Sequence, residues 1–216
     1  LESLQDPDLV KIKEMKKGDL IRIGIVGWGV RGGQLSKALG FLHPNEEKNM
    51  RASKRIESWL EQEDLNVAIT GVCDVFDLHA EKGLAIASSE LRPGGGKASG
   101  LPVKRYRSYH DMLNDKDIDA VIISVPDHHH ARFATEGIKA GKHVYCEKSV
   151  TLKESELNEL YEAVEGSDKV YQLGHQYVKN SIFTYAKEII DKEVLGKISL
   201  VETTTNRNTS HGAWIR

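Results

Sequence analysis

Apolar residues along the chain alternate between two patterns, short continuous runs and longer segments with a helical repeat. A continuous apolar run of about four to eight residues is typical of a buried strand, whereas apolar residues three and four positions apart indicate a helix. The helical pattern follows the runs; after the first one, for example, Leu35, Ala38 and Leu39 share a face. This alternation predicts an α/β fold with a doubly wound parallel sheet. The strand-length runs are 20–26, 65–75, 119–125, 143–146 and 169–174.

Two further segments set the predicted domain limits. Residues 43–65 are strongly charged and indicate an insertion, with a surface helix around Ile56, Trp59 and Leu60. The stretch KISLVETTT at 197–205 alternates apolar and polar positions, so it predicts a longer strand that starts a different sheet. The predicted domains are an N-terminal extension at 1–19, the doubly wound domain at 20–173, and the start of a second α/β domain at 174–216, which we expect to be truncated.

The charge distribution limits the partners of the protein. Formal net charge is -2 over 216 residues, and acidic and basic residues are interspersed, so no basic face predicts binding to nucleic acid or to an anionic membrane. No apolar run approaches the roughly 18 residues that a membrane span needs. The expected partner is a small molecule. Cytoplasm is the expected location, and export with a bound cofactor stays open because the chain begins at Leu1.

The first strand is followed by a glycine-rich turn with the spacing G-x-G-x-x-G. In a strand, turn and helix context, this spacing is typical of a Rossmann-type dinucleotide site. Gly27 allows the tight turn, Gly29 leaves room for a diphosphate, and Gly32 lets the helix pack closely on the strand. A merely flexible turn is the alternative interpretation. The predicted cofactor-binding residues of this turn are Gly27, Trp28, Gly29, Val30, Arg31 and Gly32.

An acidic residue ends the second predicted strand. Asp74 lies about twice as far beyond the glycine turn as the usual distance of roughly 20 residues, and the charged segment accounts for the excess. A carboxylate at this place accepts hydrogen bonds from the adenosine ribose and repels a 2′-phosphate. No Arg or Lys follows immediately in the stretch DVFD. We therefore expect NAD as the cofactor in preference to NADP.

The stretch HVYCEKSV at 143–150 carries a strand directly into an acid and a base, Glu147 and Lys148. Charged groups at a strand end are costly unless they are solvated, paired or used. A lysine at the carboxyl end of a parallel strand lies where such sheets bind ligands, and it can hydrogen-bond an alkoxide. The alternative interpretation is a solvated loop lysine, which is the common case.

A longer stretch, VIISVPDHHHARFATEGIKAGKHVYCEKSV at 121–150, resembles the signature of the Gfo/Idh/MocA oxidoreductases, the glucose-fructose oxidoreductase and inositol dehydrogenase group. With the glycine turn and Asp74 the resemblance extends from Leu20 to about Lys197. It implies a nucleotide-binding domain followed by an α/β domain with a large open sheet. It also implies hydride transfer between a nicotinamide cofactor and a hydroxyl carbon of a sugar or cyclitol, and a homo-oligomer formed through the open sheet.

The resemblance also implies roles for single residues. Lys148 matches the lysine near the nicotinamide and the reacting hydroxyl, and His130 matches a histidine of the site, so both are expected to be catalytic. The further cofactor-binding residues that it implies, with these two included, are Val125, Pro126, Asp127, His130, Glu147, Lys148 and Gln176. No metal is expected, because consecutive histidines such as His128, His129 and His130 rarely point to one ion.

Three departures from the family pattern stand out. Ser149 replaces the proline that follows the lysine, and Tyr177 or Val178 stands where an arginine is common. The family's second catalytic pair, an Asp and a His, is expected beyond Arg216. Two other functions therefore stay open: glycoside cleavage by transient oxidation with recycled NAD, and a non-catalytic nucleotide-binding protein. Net formation of reduced cofactor separates a dehydrogenase from the glycosidase, and replacement of Lys148 with Ala separates the two enzymes from the non-catalytic protein.

Overall fold

A computed structural model describes residues 19–176 and 180–204 of the chain. Its internal contacts divide the chain into one unit, Leu1–Gly174, and a second unit, His175–Arg216. The division falls one residue beyond the boundary predicted between 173 and 174. Within the described ranges, none of the helices has the length and apolar character that crossing a bilayer requires.

The first unit contains a parallel sheet of six strands in the order β3-β2-β1-β4-β5-β6. The predicted doubly wound parallel sheet is therefore confirmed. The strand order reverses between β1 and β4, which is the place where such sheets bind ligands at the carboxyl ends of their strands. The strands are β1 (Ile21–Val26), β2 (Val67–Cys73), β3 (Lys104–Tyr106), β4 (Ala120–Ile123), β5 (His143–Glu147) and β6 (Tyr171–Gly174).

Helices connect these strands, and two of their ends show why the sequence places them there. Ser108 begins a helix by accepting a hydrogen bond from the Asp111 amide at 3.1 Å. Gly141 has a φ of 75° and follows a helix that ends at Lys139. The helices of the first unit are α1 (Val30–Ala38), α2 (Pro44–Ala52), α3 (Ile56–Leu60), α4 (Asp77–Ala87), α5 (Tyr109–Asn114), α6 (His130–Lys139) and α7 (Glu154–Glu165), and the second unit contains α8 (Ser181–Asp191).

The core lies on both faces of the sheet, as the central strand β4 shows, because it is apolar at every position. In β4, Val121 and Ile123 belong to one buried cluster, and Ile122 between them belongs to the other. Successive side chains of a strand point to opposite faces, which explains this division. The first cluster includes Leu160 of α7, and the second includes Ala80 of α4. Helices on both sides thus hold the sheet and fix the positions of its strand ends.

The charged segment at 43–65 differs from its prediction. A helix does form around Trp59, but Ile56 and Trp59 are buried and not at the surface. They pack with Leu42 and Met50 into a third apolar cluster. The spacing of Ile56 and Trp59, three residues apart, places both on one helix face, so the insertion supplies a small core of its own.

Two strand predictions also need correction. Residues 197–204 contain no strand, although their alternation predicted one; residue 205 lies outside the described residues. Alternation indicates which residues share a face, but a strand forms only where a neighbour pairs with its backbone. Conversely, β3 was missed because Lys104, Arg105 and Tyr106 are mostly polar. This short strand lies at the sheet edge, where charged residues are common.

Asp115 stabilises this edge strand through hydrogen bonds to its side chains. Its Oδ2 atom accepts hydrogen bonds from Lys104 Nζ at 2.8 Å and from the Tyr106 hydroxyl at 2.6 Å, and its Oδ1 atom accepts one from the Asp117 amide at 2.7 Å. The Lys104 ammonium and the Tyr106 hydroxyl hold the pKa of the Asp115 carboxyl well below its ordinary value. The carboxylate form therefore stabilises the fold.

Replacing Asp115 with Asn should lower the free energy of unfolding by about 1–2 kcal/mol at pH 7. The native pKa is depressed, so this contribution is complete above the unfolded-state pKa of about 4 and is lost as pH falls toward the native value. Urea unfolding at pH 7 and at lower pH measures the difference between the two proteins. A difference that stays constant down to about pH 2 would contradict the ionic origin.

Candidate cofactor and active site

Three neighbouring strands of the sheet end at one edge and carry the predicted site. The glycine turn follows β1, Val125 follows β4, and Lys148 follows β5. Because β1, β4 and β5 are adjacent and parallel, their carboxyl ends form one continuous border. The order of the strands reverses within this border, so the site lies where an open α/β sheet binds its ligand.

The glycine turn has the close contacts that its spacing predicts. Gly27 has a φ of 87°, and a Cβ atom on it would lie 2.4 Å from the Ser124 carbonyl oxygen. A Cβ atom on Gly32 would lie 2.2 Å from the Gly27 carbonyl oxygen. Neither position accepts a side chain. A Cβ atom on Gly29, in contrast, would meet no atom within 4 Å, so this glycine faces open space.

The other residues of the turn differ in exposure. The Trp28 side chain is 1% exposed, donates a hydrogen bond from Nε1 to the Ile25 carbonyl at 3.1 Å, and packs against Gly83. Its indole therefore belongs to the core, and only its backbone lies at the turn. Val30 begins α1 and is 79% exposed. Backbone amides at this helix start favour a bound anion.

Asp74 lies directly beside the turn. One carboxylate oxygen accepts a hydrogen bond from the Trp28 amide at 2.6 Å, and the other accepts one from the Phe76 amide at 2.8 Å. His79 Nδ1 lies 3.6 Å from the first oxygen. The carboxylate is therefore held at the end of β2, next to the backbone that Gly29 leaves open.

An ion pair connects the turn to β5. Arg31 Nη2 lies 2.7 Å from Glu147 Oε1, and the Tyr145 hydroxyl donates to the same oxygen at 3.1 Å. Burial would lower the Arg31 pKa, but the hydrogen bond and charge attraction to Glu147 outweigh burial and raise it above its ordinary value. Glu147 is a buried carboxylate, so this pair supplies the compensation that a buried charge requires.

His130 lies beneath the border, inside the protein, and is 1% exposed. Its Nδ1 atom is 2.7 Å from the Ser149 carbonyl oxygen, and its Nε2 atom is 2.8 Å from the Val125 carbonyl oxygen. Both ring nitrogens thus face the backbone of the two segments that follow β4 and β5. This arrangement leaves no ring nitrogen for a substrate and favours a positioning role over the catalytic one implied by the resemblance.

Replacing His130 with Phe should lower the free energy of unfolding by about 2 kcal/mol, because the buried carbonyl that accepts the ring N–H loses its donor while the ring volume is kept. Chemical denaturation measures the change. His130→Gln retains an N–H donor and should recover part of the loss. Equal stability of the Phe variant and the wild type would show that the polar contacts of the ring contribute nothing.

Lys148 is exposed at the end of β5, one residue beyond the buried Glu147. No hydrogen bond or ion pair holds its ammonium group within the part of the chain that the structure describes. The Lys148-Ser149 peptide bond is cis. The lysine side chain is therefore available to a ligand at the border that also carries the glycine turn.

The family of the chain follows from a comparison with family models. The model described as "Oxidoreductase family, NAD-binding Rossmann fold" of the Gfo/Idh/MocA group matches residues 21–175, most of the chain. The chain belongs to the Gfo/Idh/MocA oxidoreductase family. The matched range coincides with the sheet and the border just described, so the family assignment rests on the region that carries the site.

Relatives of this Gfo/Idh/MocA chain are longer proteins. Inositol 2-dehydrogenase of Salmonella typhimurium is 29% identical over 136 residues, which cover 62% of this chain and 37% of that protein. Levoglucosan dehydrogenase of Pseudarthrobacter phenanthrenivorans is 29% identical over 121 residues, which cover 56% and 31%. The crystal structure of myo-inositol 2-dehydrogenase from Lactobacillus plantarum has a TM-score of 0.62 at 23% identity, covering 83% and 43%. The chain spans less than half the length of these proteins.

The residues at the border fit the dinucleotide in the description of the Gfo/Idh/MocA family. Gly29 leaves open space where a diphosphate would approach the backbone. Arg31 Nε is buried and has no hydrogen-bond partner among residues 19–176 and 180–204, so it can still donate to a bound group. Asp74 presents a carboxylate beside the turn. Open space, an unused donor and an acceptor are the features that a dinucleotide site needs.

The remaining predicted cofactor-binding residues differ in their exposure and in the unit to which they belong. Val125 is half-buried, and Pro126 and Asp127 are exposed at the start of a short 3-10 helix, Asp127–His129. Gln176 is exposed and belongs to the second unit. The rings of His128 and His129 lie 4.0 Å apart. Across the described residues, no cluster of three or more His, Cys, Asp or Glu side chains could hold a metal ion.

A group of charged side chains beside the site was not predicted from the sequence. Arg105 and Arg107 of the β3 segment both bind the carboxylate of Asp77, the first residue of α4. The signal was the alternation of basic residues in KRYR at 104–107, which places Arg105 and Arg107 on one face of a strand. These arginines come from a neighbouring strand and not from the residues that follow Asp74 in sequence.

Proposed function

We propose that the protein is an NAD-dependent dehydrogenase that transfers a hydride between the nicotinamide and a hydroxyl carbon of a sugar or cyclitol. The observation that carries this proposal is the common border of an open glycine turn and an exposed lysine, Lys148, in a chain of the Gfo/Idh/MocA family. The dehydrogenases of inositol and levoglucosan among its relatives support the substrate class.

The protein's own residues would hold the cofactor along this border. The space at Gly29 and the amides at the start of α1 would accept the diphosphate, and Asp74 would accept hydrogen bonds from the adenosine ribose. Arg31 and Glu147 would keep the turn and the end of β5 together. Bound NAD supplies the hydride acceptor.

Lys148 would act on the substrate hydroxyl. In the oxidation of an alcohol, the carbon would give a hydride to NAD, the hydroxyl would release its proton to solvent water, and the C=O bond would form. Negative charge would develop on the oxygen during this step. A positioned ammonium group stabilises this charge most strongly where water is excluded. Glu147 and His130 would hold the segment that carries Lys148, since each binds a neighbouring part of the border. They are positioning residues in this proposal.

The experiment begins with calorimetric titration of the folded chain with NAD and with NADP. We expect saturable binding of NAD and weaker binding of NADP. Incubation with NAD and a panel that includes myo-inositol and simple sugars then tests the reaction through the absorbance of NADH. Sugar release without net NADH would favour the glycosidase alternative, and absence of nucleotide binding in folded protein would contradict the proposal.

A further inference from the structure

Three charged side chains form a cluster beside the predicted ribose site. Asp77 Oδ1 accepts a hydrogen bond from an Arg105 guanidinium nitrogen and another from Arg107 Nη1, the latter at 3.0 Å. Asp77 lies three residues beyond Asp74, at the beginning of α4. One carboxylate oxygen therefore engages two guanidinium groups.

The sheet register brings this cluster to the ribose edge. Tyr106 of β3 pairs with Cys73 of β2, so Arg107 follows β3 beside Asp74, which follows β2. Adjacent strands lie about 4.8 Å apart. Asp74 in turn accepts the hydrogen bond of the Trp28 amide in the glycine turn. The two arginines are thus close neighbours of the carboxylate that would bind the ribose.

The net positive charge of this cluster and a free hydrogen-bond donor within it favour binding of a phosphate group. Two permanent positive charges share one negative charge, and Arg105 Nε is buried without a hydrogen-bond partner among the residues that the structure describes. Arginine is well suited to phosphate because its planar fork donates two parallel hydrogen bonds. The Arg105 hydrogen bond keeps the pKa of Asp77 below its ordinary value, so the masking charge persists at neutral pH.

We propose that Asp77 determines cofactor choice by holding Arg105 and Arg107 away from the 2′ position of the adenosine ribose. This inference rests on the proposed function only in requiring that the border bind a dinucleotide. Asp74 repels a 2′-phosphate directly, whereas Asp77 occupies the cations that would otherwise attract one. In this proposal Asp74 and Asp77, which lie on the same strand-to-helix connection, both contribute to the preference for NAD over NADP.

The test compares NAD and NADP binding by calorimetry in the wild type and in Asp77→Asn. We expect NADP affinity to rise at least tenfold in the variant, while NAD affinity stays within about threefold. The gain should weaken at high salt, because exposed charges are screened. Glu81→Gln is the matched control: it removes one negative charge from the exposed face of α4 without contacting either arginine, and it should leave both affinities unchanged.

A triple variant, Asp77→Asn with Arg105→Gln and Arg107→Gln, should lose the gain in NADP affinity. Persistence of the gain without the arginines would overturn the proposal, and so would equal changes for NAD and NADP in Asp77→Asn. Unfolding curves for every variant establish that the compared proteins are folded. If the folded wild type binds neither nucleotide, the proposed function itself fails. If the wild type binds NAD but Asp77→Asn keeps the same preference for NAD over NADP, only the role of Asp77 fails.

Discussion

Replacing Lys148 with Met should lower the rate of NADH formation about a thousandfold while NAD affinity stays within about threefold. Removing one donor that stabilises developing charge typically costs about a hundred- to thousandfold in turnover. Lys148 is exposed and has no partner in the described residues, so its loss leaves no buried group unpaired. The free energy of unfolding should therefore be nearly unchanged. Steady-state rates with NAD and myo-inositol, together with NAD calorimetry, measure both effects.

Lys139→Met is a matched control for this prediction. Lys139 ends α6 and pairs with Glu159, so it lies near the opposite end of β5 from Lys148. Its replacement should leave turnover unchanged. Lys148→Arg retains a positive charge in a different shape and should recover only part of the rate. Turnover of Lys148→Met within tenfold of wild type would remove the lysine from the proposed mechanism.

Replacing Gly29 with Val should weaken NAD binding at least a hundredfold, equivalent to about 2.7 kcal/mol, with little effect on folding. The added Cβ atom would meet no protein atom within 4 Å, and φ at Gly29 is -64°, so the backbone tolerates a side chain. The valine would fill the space that the diphosphate needs. Calorimetric titration with NAD and chemical denaturation separate loss of binding from loss of stability.

Two nearby glycines provide the comparison. A Cβ atom on Gly33 would come no closer than 3.7 Å to another group, the end of the flexible Lys82 side chain, so Gly33→Ala should preserve both folding and NAD binding. Gly32→Ala should destabilise the protein, because its Cβ atom would collide with a backbone carbonyl. Unchanged NAD affinity in Gly29→Val would place the diphosphate elsewhere and contradict the proposed cofactor site.

Much of the fold follows from local pattern because parallel strands are buried on both faces and therefore appear as continuous apolar runs. The glycine turn could also be predicted from local pattern, because the atoms that exclude a side chain at Gly27 and Gly32 lie within the turn or directly after an adjacent strand. The direction of the Trp28 ring could not be predicted, because it depends on a gap beside Gly83 that only the assembled helices create.

The contacts of His130 show the same limit more clearly. Its two partners, Val125 and Ser149, are separated from each other by a helix and a strand, and no local pattern joins them. The arginine cluster at Asp77 likewise depends on the position of β3 at the sheet edge. Sequence patterns identified which residues are polar at strand ends, but their partners follow from how neighbouring strands are arranged.

The contacts of the His130 ring with two backbone carbonyls have a consequence for which residues of this border can be replaced. Its ring binds only carbonyl oxygens of the main chain, which every amino acid possesses. The side chains at 125 and 149 can therefore change without removing either carbonyl oxygen from the ring, provided that the main chain keeps its course. Ser149 contributes only its backbone carbonyl to this contact, whereas His130 contributes its side chain, so a change of residue type affects the contact directly at 130 and not at 149.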